Sequence, residues 1–215
     1  MNYYLQAIII AILADNSHIT ITCFRQNKIH VDIYYESLCP YSALFITKQF
    51  IPVYQYLQDL ITVTFIPFGK ATAIGYPIKF MCQHGPSECI GNQAQACALT
   101  EIIHNFKSNV QQNNAVKIVG CVMASRNPSV AVLKCVKNLG LEANSIQKIK
   151  ICKNTNIGKE LLVTYGRKTA AFESPLLSVP SIVINGAKNK NAVSNFIGEI
   201  CDLISKDKKP KPCQN

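Results

Sequence analysis

Beyond its first residues this 215-residue chain contains no run of the ~18 apolar residues that a membrane-spanning helix needs. Stable membrane insertion is therefore not expected. Acidic residues are scarce: 12 Asp and Glu stand against 22 Lys and Arg, a formal charge of +10. The positive residues are dispersed, with no aromatic-interleaved patch and no nucleic-acid motif, so nucleic acid is not an expected partner. The charge reads as a solvated basic surface. There is no Asn-x-Ser/Thr acceptor, because Asn127-Pro128-Ser129 is blocked by its proline. No paired C-x-x-C occurs, which removes the usual zinc knuckle and the usual dithiol redox motif together. Between residues 82 and 165 there is neither a fixed-period repeat nor a low-complexity tract.

What is present is a chain of 48% hydrophobic residues, enough for one domain with a core of its own. Ten cysteines accompany it. Abundant cysteine means metal or redox chemistry in the cytosol and disulfides in a secreted chain. The N-terminus favours the second. Residues 3–14 carry no charge and centre on Ile8-Ile9-Ile10, with Ala14 a small residue suited to cleavage. Residues 1–14, extending to 23 at most, read as a signal peptide rather than an anchor, although the leading segment lacks Lys or Arg. The expected destination is secretion, alternatively a lysosomal lumen. Cleavage before or after Cys23 decides whether nine or ten cysteines remain. With nine, eight pair evenly and one is left over.

The stretch around Cys39 is where chemistry is expected. Residues 29–35 alternate apolar and polar positions with β-branched Ile29, Val31 and Ile33, a strand pattern. Residues 43–57 carry apolar residues at helical spacing, with Pro52 set to kink or break the run. Pro40 sits where a first helical turn tolerates proline. Cys39 therefore lies where a strand ends and a helix begins. Free N–H groups and the helix dipole favour an anion there, and a thiolate is one. The fourth position of the motif is Ser42 instead of a second cysteine. A buried structural cysteine, or half of a disulfide, is the plain alternative.

Farther along, residues 61–67 alternate again, so strand, helix and strand make a βαβ unit with a right-handed crossover. Helical signals then take over in an insertion spanning about 82–170. Helices are expected over 92–106, from the Asn127-Pro128 start to Gly140, over 145–153, and over 158–165 ending at Gly166. Strand character returns over 179–184 before the turn pair Asn185-Gly186, and 192–204 is amphipathic. The main domain runs over about 28–205, and the basic tail 206–215 is expected to be pinned through Cys213. Cys82, His84, Cys89 and Cys97 crowd into 16 residues. Their spacing is not that of a zinc knuckle, so disulfides are expected and no metal. His84 reads as a loop histidine with its hydrogen bonds satisfied, or else as the base of a cysteine hydrolase, whose other motifs are missing. Glu36 reads as either a proton acceptor or a surface residue.

The run Cys82-Gln83-His84-Gly85, followed by Glu88-Cys89, Gly91-Asn92 and Cys97, resembles the signature of the gamma-interferon-inducible lysosomal thiol reductase family. Tyr35-Glu36-Ser37-Leu38-Cys39-Pro40 is similar to its invertebrate, C-x-x-S members. Cys121, the pair Cys135 and Cys152, Val179-Pro180 and the ending Cys201 to Cys213 fit the same family, so the resemblance covers about 29–213. It implies an α/β, thioredoxin-like fold with a helical insertion, rich in disulfides. It implies a thiol-disulfide oxidoreductase in which Cys39 is the nucleophile and Ser42 stands at the resolving position. Protein disulfides would be the substrates and Val179 and Pro180 would contact them, the Val179–Pro180 bond being cis. An external thiol such as glutathione or cysteine would be the reductant, with no bound cofactor. Cys82, Cys89, Cys97, Cys121, Cys135, Cys152, Cys201 and Cys213 would all be oxidised, with Cys135–Cys152 and Cys201–Cys213 as the preferred local pairs. The missing glycosylation acceptor removes support for mannose-phosphate sorting to lysosomes and favours secretion. The alternative is a secreted non-catalytic binding protein, a saliva- or venom-type factor, that retains the fold.

Overall fold

The computed structural model describes residues 28–214; the signal-peptide expectation and Cys23 lie outside them. Strand β1 (Ile29–Tyr35) is the centre of a four-stranded sheet in the order β2-β1-β5-β6. It pairs in parallel with β2 (Ile61–Pro67), Ile29 opposite Ile61 and Tyr35 opposite Pro67. On its other side it runs antiparallel to β5 (Ser181–Ile184), which turns through Asn185 and Gly186 into β6 (Ala187–Lys188). Both turn residues have positive φ, 49° and 83°, the backbone that an Asn-Gly hairpin turn is chosen for.

The crossover from β1 to β2 is helical but not uniform. Helix α1 (Pro40–Leu44) runs into a π-helical stretch (Phe45–Phe50) and then α2 (Ile51–Leu57), with Pro52 in the first turn of α2. Proline has no N–H to give the preceding turn. The chain takes up the mismatch as a π segment without breaking. The expected interruption is thus present, one turn before the proline.

A small antiparallel pair, β3 (Thr72–Ile74) and β4 (Lys79–Met81), leads into five helices: α3 (Pro86–Asn105), α4 (Ser108–Met123), α5 (Pro128–Asn138), α6 (Ala143–Lys153) and α7 (Asn156–Phe172). Helix α3 is central and packs against the other four. It begins six residues earlier than expected, with Pro86 in its first turn and Gly85 at φ 82° before it. Helix α7 passes through Gly166, where termination was expected. A Cβ there would meet the Phe68 ring at 2.7 Å, so this glycine allows close approach instead of ending the helix. The amphipathic 192–204 segment is divided into a 3-10 turn (Asn191–Val193) and helix α8 (Phe196–Cys201), capped by the Asn195 side chain accepting from Gly198 N–H.

One face of the sheet carries Val31, Ile33, Tyr35, Phe65 and Ile182 against Phe45, Phe50 and Phe196, the Phe196 ring meeting the other two edge to face at 5.8 and 5.5 Å. The opposite face carries Tyr34, Ile66 and Val183 against Phe68, Leu162 and Tyr165. A third cluster fills the space among α3, α4, α5 and α6. This is a thioredoxin-like fold with a helical insertion.

Four disulfides join Cys82–Cys89, Cys97–Cys152, Cys121–Cys135 and Cys201–Cys213. All eight expected cysteines are oxidised, and the Cys201–Cys213 pair is as expected. The Cys135–Cys152 pairing is not. Cys135 on α5 reaches back to its neighbour α4, while Cys152 on α6 reaches the central helix α3, against which α6 packs more extensively than against α5. The Cys97–Cys152 bridge spans 55 residues, and the chain-entropy relation assigns such a loop about 4 kcal/mol against about 3 for the 14-residue one. Among the described residues no helix is long and apolar enough to cross a membrane.

Candidate active site

Among the described residues Cys39 is the one free cysteine. It is the residue before α1, with extended backbone (φ −69°, ψ 119°), and Pro40 opens the helix. Its carbonyl already accepts from Ala43 N–H at 3.0 Å. The sulfur is nearly covered, the residue being 4% exposed, and its thiol faces the Val179 carbonyl at 3.9 Å. The Val179–Pro180 peptide is cis. Residues 140 positions apart are thus brought together at the end of the sheet. Beside them runs a groove of about 420 Å³ lined by Tyr41, Val179, Pro180, Lys188, Asn189 and Lys190 among others. Tyr41 is 71% exposed on its rim.

Ser42 is fully buried, and its hydroxyl accepts from Glu36 N–H at 3.4 Å. It ties the first helical turn to the strand end. Tyr35 above it donates its hydroxyl to Gln95 Oε1 at 2.8 Å.

Glu36 is not a surface residue. It is fully buried, accepts from Lys70 N–H at 2.7 Å through Oε1, and sits under Gly69, whose φ is 60°. A Cβ at Gly69 would collide with the Glu36 side chain. Burial raises the Glu36 carboxyl above its ordinary value, the Lys70 N–H opposes this, and Glu88 adds to it. His84 is held by Glu88, Nδ1 to Oε2 at 2.6 Å, and lies 3.5 Å from Glu36 Oε2. The satisfied-histidine reading of His84 therefore describes it.

The residues that sequence reasoning missed lie on α3. Ser37 N–H donates to Asn92 Oδ1 at 2.8 Å, and Ser37 Oγ donates to the Glu88 carbonyl at 3.0 Å. Asn92 Nδ2 reaches the Phe68 carbonyl at 3.4 Å. Glu88, Asn92 and Gln95 are all fully buried. They follow one another at i, i+4 and i+7, a polar stripe on one helix face. That stripe is a readable signal: polar residues at helical spacing beside small Ala94, Ala96 and Ala98 need buried partners. Asn92 and Gln95 find theirs in Ser37 and Tyr35 ahead of Cys39, and Glu88 finds its in His84.

Comparison with known proteins agrees with this geometry. The family model of gamma interferon inducible lysosomal thiol reductase (GILT) matches residues 30–139. GILT-like protein 1 of Drosophila melanogaster is 36% identical over 197 residues, covering 86% of this chain and 78% of the fly protein. A gamma-interferon-inducible lysosomal thiol reductase-like protein of Anopheles gambiae is 33% identical, covering 90% and 83%. The Mus musculus gamma-interferon-inducible lysosomal thiol reductase is 24% identical, covering 87% and 72%. Among solved structures, DsbA of Chlamydia trachomatis superposes with TM-score 0.57 at 13% identity, covering 88% of this chain and 95% of that one. Reduced DsbA of Mycobacterium tuberculosis gives 0.57 at 14%, covering 89% and 90%. These last likenesses are of fold. With the family model matching half of the chain and relatives above 30% identity along most of their length, this chain belongs to the gamma-interferon-inducible lysosomal thiol reductase family.

Proposed function

We propose that the protein is a single-cysteine thiol-disulfide oxidoreductase of the C-x-x-S type found among invertebrate family members, acting on protein disulfides in a lumen or outside the cell. The observation that carries this reading is the setting of Cys39. It is the free thiol of a chain whose eight other described cysteines are paired, at a helix start opposite the Val179 carbonyl and beside an open groove. Four disulfides suit an oxidising compartment, secreted or lysosomal.

The Cys39 thiolate attacks one sulfur of a substrate disulfide. A mixed disulfide forms, the substrate S–S bond breaks, and the second substrate sulfur leaves as thiolate. The hydroxyl of Ser42 cannot take the next step. A glutathione or cysteine thiolate attacks the mixed disulfide and releases the substrate thiol, leaving Cys39 joined to the small thiol. A second small thiol frees Cys39. The balance is two small thiols oxidised to their disulfide and one substrate disulfide reduced to two thiols. Val179 and Pro180 offer backbone to an extended substrate peptide in the groove, a strand-addition mode of binding.

Purified protein supplied with glutathione should reduce a disulfide-linked model substrate faster than glutathione alone, and Cys39→Ser should abolish the difference. A wild-type rate equal to the glutathione background would remove the catalytic reading and leave that of a binding protein.

A further inference from the structure

We propose that Glu36, His84 and Glu88 form a binding site for a divalent transition-metal ion, zinc by the chemistry of the donors. Each carboxylate spends Oε1 on a backbone donor: Glu36 on Lys70 N–H at 2.7 Å, and Glu88 on His84 N–H at 3.1 Å. Each then turns Oε2 toward the same imidazole nitrogen, His84 Nδ1, at 3.5 Å and 2.6 Å. The three ligand atoms lie within 4.8 Å of one another.

The second observation is an orphan. Nδ1 carries at most one proton, and the 2.6 Å contact with Glu88 uses it. Glu36 Oε2 is left buried with no hydrogen-bond partner, on a residue with no exposed surface. Among the described residues neither glutamate forms an ion pair with Lys or Arg. A buried carboxylate oxygen without a donor is unfavourable. A cation between the three atoms satisfies all of them together.

Dimensions and donor types select the ion. Metal–ligand bonds of ~2.0–2.2 Å in a tetrahedron place neighbouring ligand atoms ~3.3–3.6 Å apart. The separation from Glu36 already matches, and that from Glu88 has to open by less than ~1 Å. One imidazole and two carboxylates suit zinc, whereas calcium takes six to eight oxygens that this pocket does not offer. The His84 side chain is 31% exposed, which gives a fourth ligand, water, a way in. The cysteines of the motif are not the ligands. Cys82 and Cys89 are bonded to each other and hold the His84 loop closed instead of acting as ligands.

The site is testable apart from the thiol chemistry. In a background carrying both Cys23→Ser and Cys39→Ser, so that no thiol competes, chelator-stripped protein should take one equivalent of zinc from a chromophoric competitor near neutral pH. His84→Ala and Glu36→Gln should each weaken binding by at least about tenfold. His30→Ala, at an exposed His–Asp pair elsewhere, should leave it unchanged. Zinc should raise the melting temperature of the parent and not of His84→Ala. X-ray absorption should show nitrogen and oxygen donors including one imidazole. Binding below one equivalent, binding that survives His84→Ala, or sulfur coordination would overturn the site. If Glu36→Gln does not fold, the partly exposed His84 decides.

Discussion

Ser42 is the residue that sets the chemistry apart from a dithiol cycle. Its hydroxyl faces Glu36 N–H and is fully buried, so it joins the helix start to the strand that carries the site. Ser42→Cys places a thiol one helical turn from Cys39, close enough for a disulfide. The variant should release substrate by closing that internal bond, and its turnover should depend less on external thiol. The measurement is reductase rate against glutathione concentration. Wild type should fall away steeply as glutathione is withdrawn, and the variant should retain a first, stoichiometric turnover without any. At this scale the sequence was informative where one residue's identity implies its setting. Cys39 before proline at a strand–helix junction is such a case, whereas the cis Val179–Pro180 bond was implied by the family resemblance and not by the proline itself. It was silent on Glu36, because a carboxylate three residues from a cysteine has no periodicity to reveal burial. Gly69, 33 positions away, makes the room.

Helix α3 packs against the turn before Cys39, and Gly91 leaves room for Ser37 there. A Cβ there would meet Ser37 Oγ and lie 3.1 Å from the Ser129 backbone. In an exposed helix Gly→Ala gains up to about 1 kcal/mol. Overpacking here costs about 1–3 kcal/mol, and the Ser37 bond to the Glu88 carbonyl is put at risk besides. The cost wins. Gly91→Ala should lower the melting temperature by roughly 2–10 °C and slow alkylation of Cys39, as calorimetry and a timed thiol assay would show. Elements were read well where a period or a cap announced them: β1, β2, α5 from Asn127-Pro128, and the Asn-Gly turn. Their ends were read poorly where tertiary contact overrides local preference. Gly166 belongs to the interior of α7 because Phe68 needs the space. The Cys97–Cys152 bond follows from α6 packing on α3, which no local spacing encodes.

The whole molecule joins a thioredoxin-like sheet to a helical layer, and Tyr165 stands at that joint with Phe68, Leu162 and Ile66. Burial pushes its phenol up to about 12. The protonated phenol is the form that fits. Below about pH 10 folded and unfolded chains both carry it, so its contribution is complete. Between about pH 10 and 12 the unfolded chain ionises while the folded one holds its proton, and stability falls by about 2–3 kcal/mol. Tyr165→Phe should lose less stability over that range, read from urea midpoints at about pH 8 and pH 11.5. Tyr35, raised for the same reason, leaves a residual alkaline loss in the variant.

Exchange of Cys39 with a substrate disulfide is the central step, and the covalent intermediate is its most direct test. Wild-type protein is mixed with a disulfide-containing protein without small thiols, quenched by alkylation, and examined by intact mass and non-reducing peptide mapping. The predicted result is a species with the summed mass of both chains plus the alkyl group on the released substrate thiol, linked through the Cys39 peptide, dissolved by glutathione and missing from Cys39→Ser. The absence of any adduct, or one that forms through another cysteine, would contradict the assignment of Cys39 as the nucleophile.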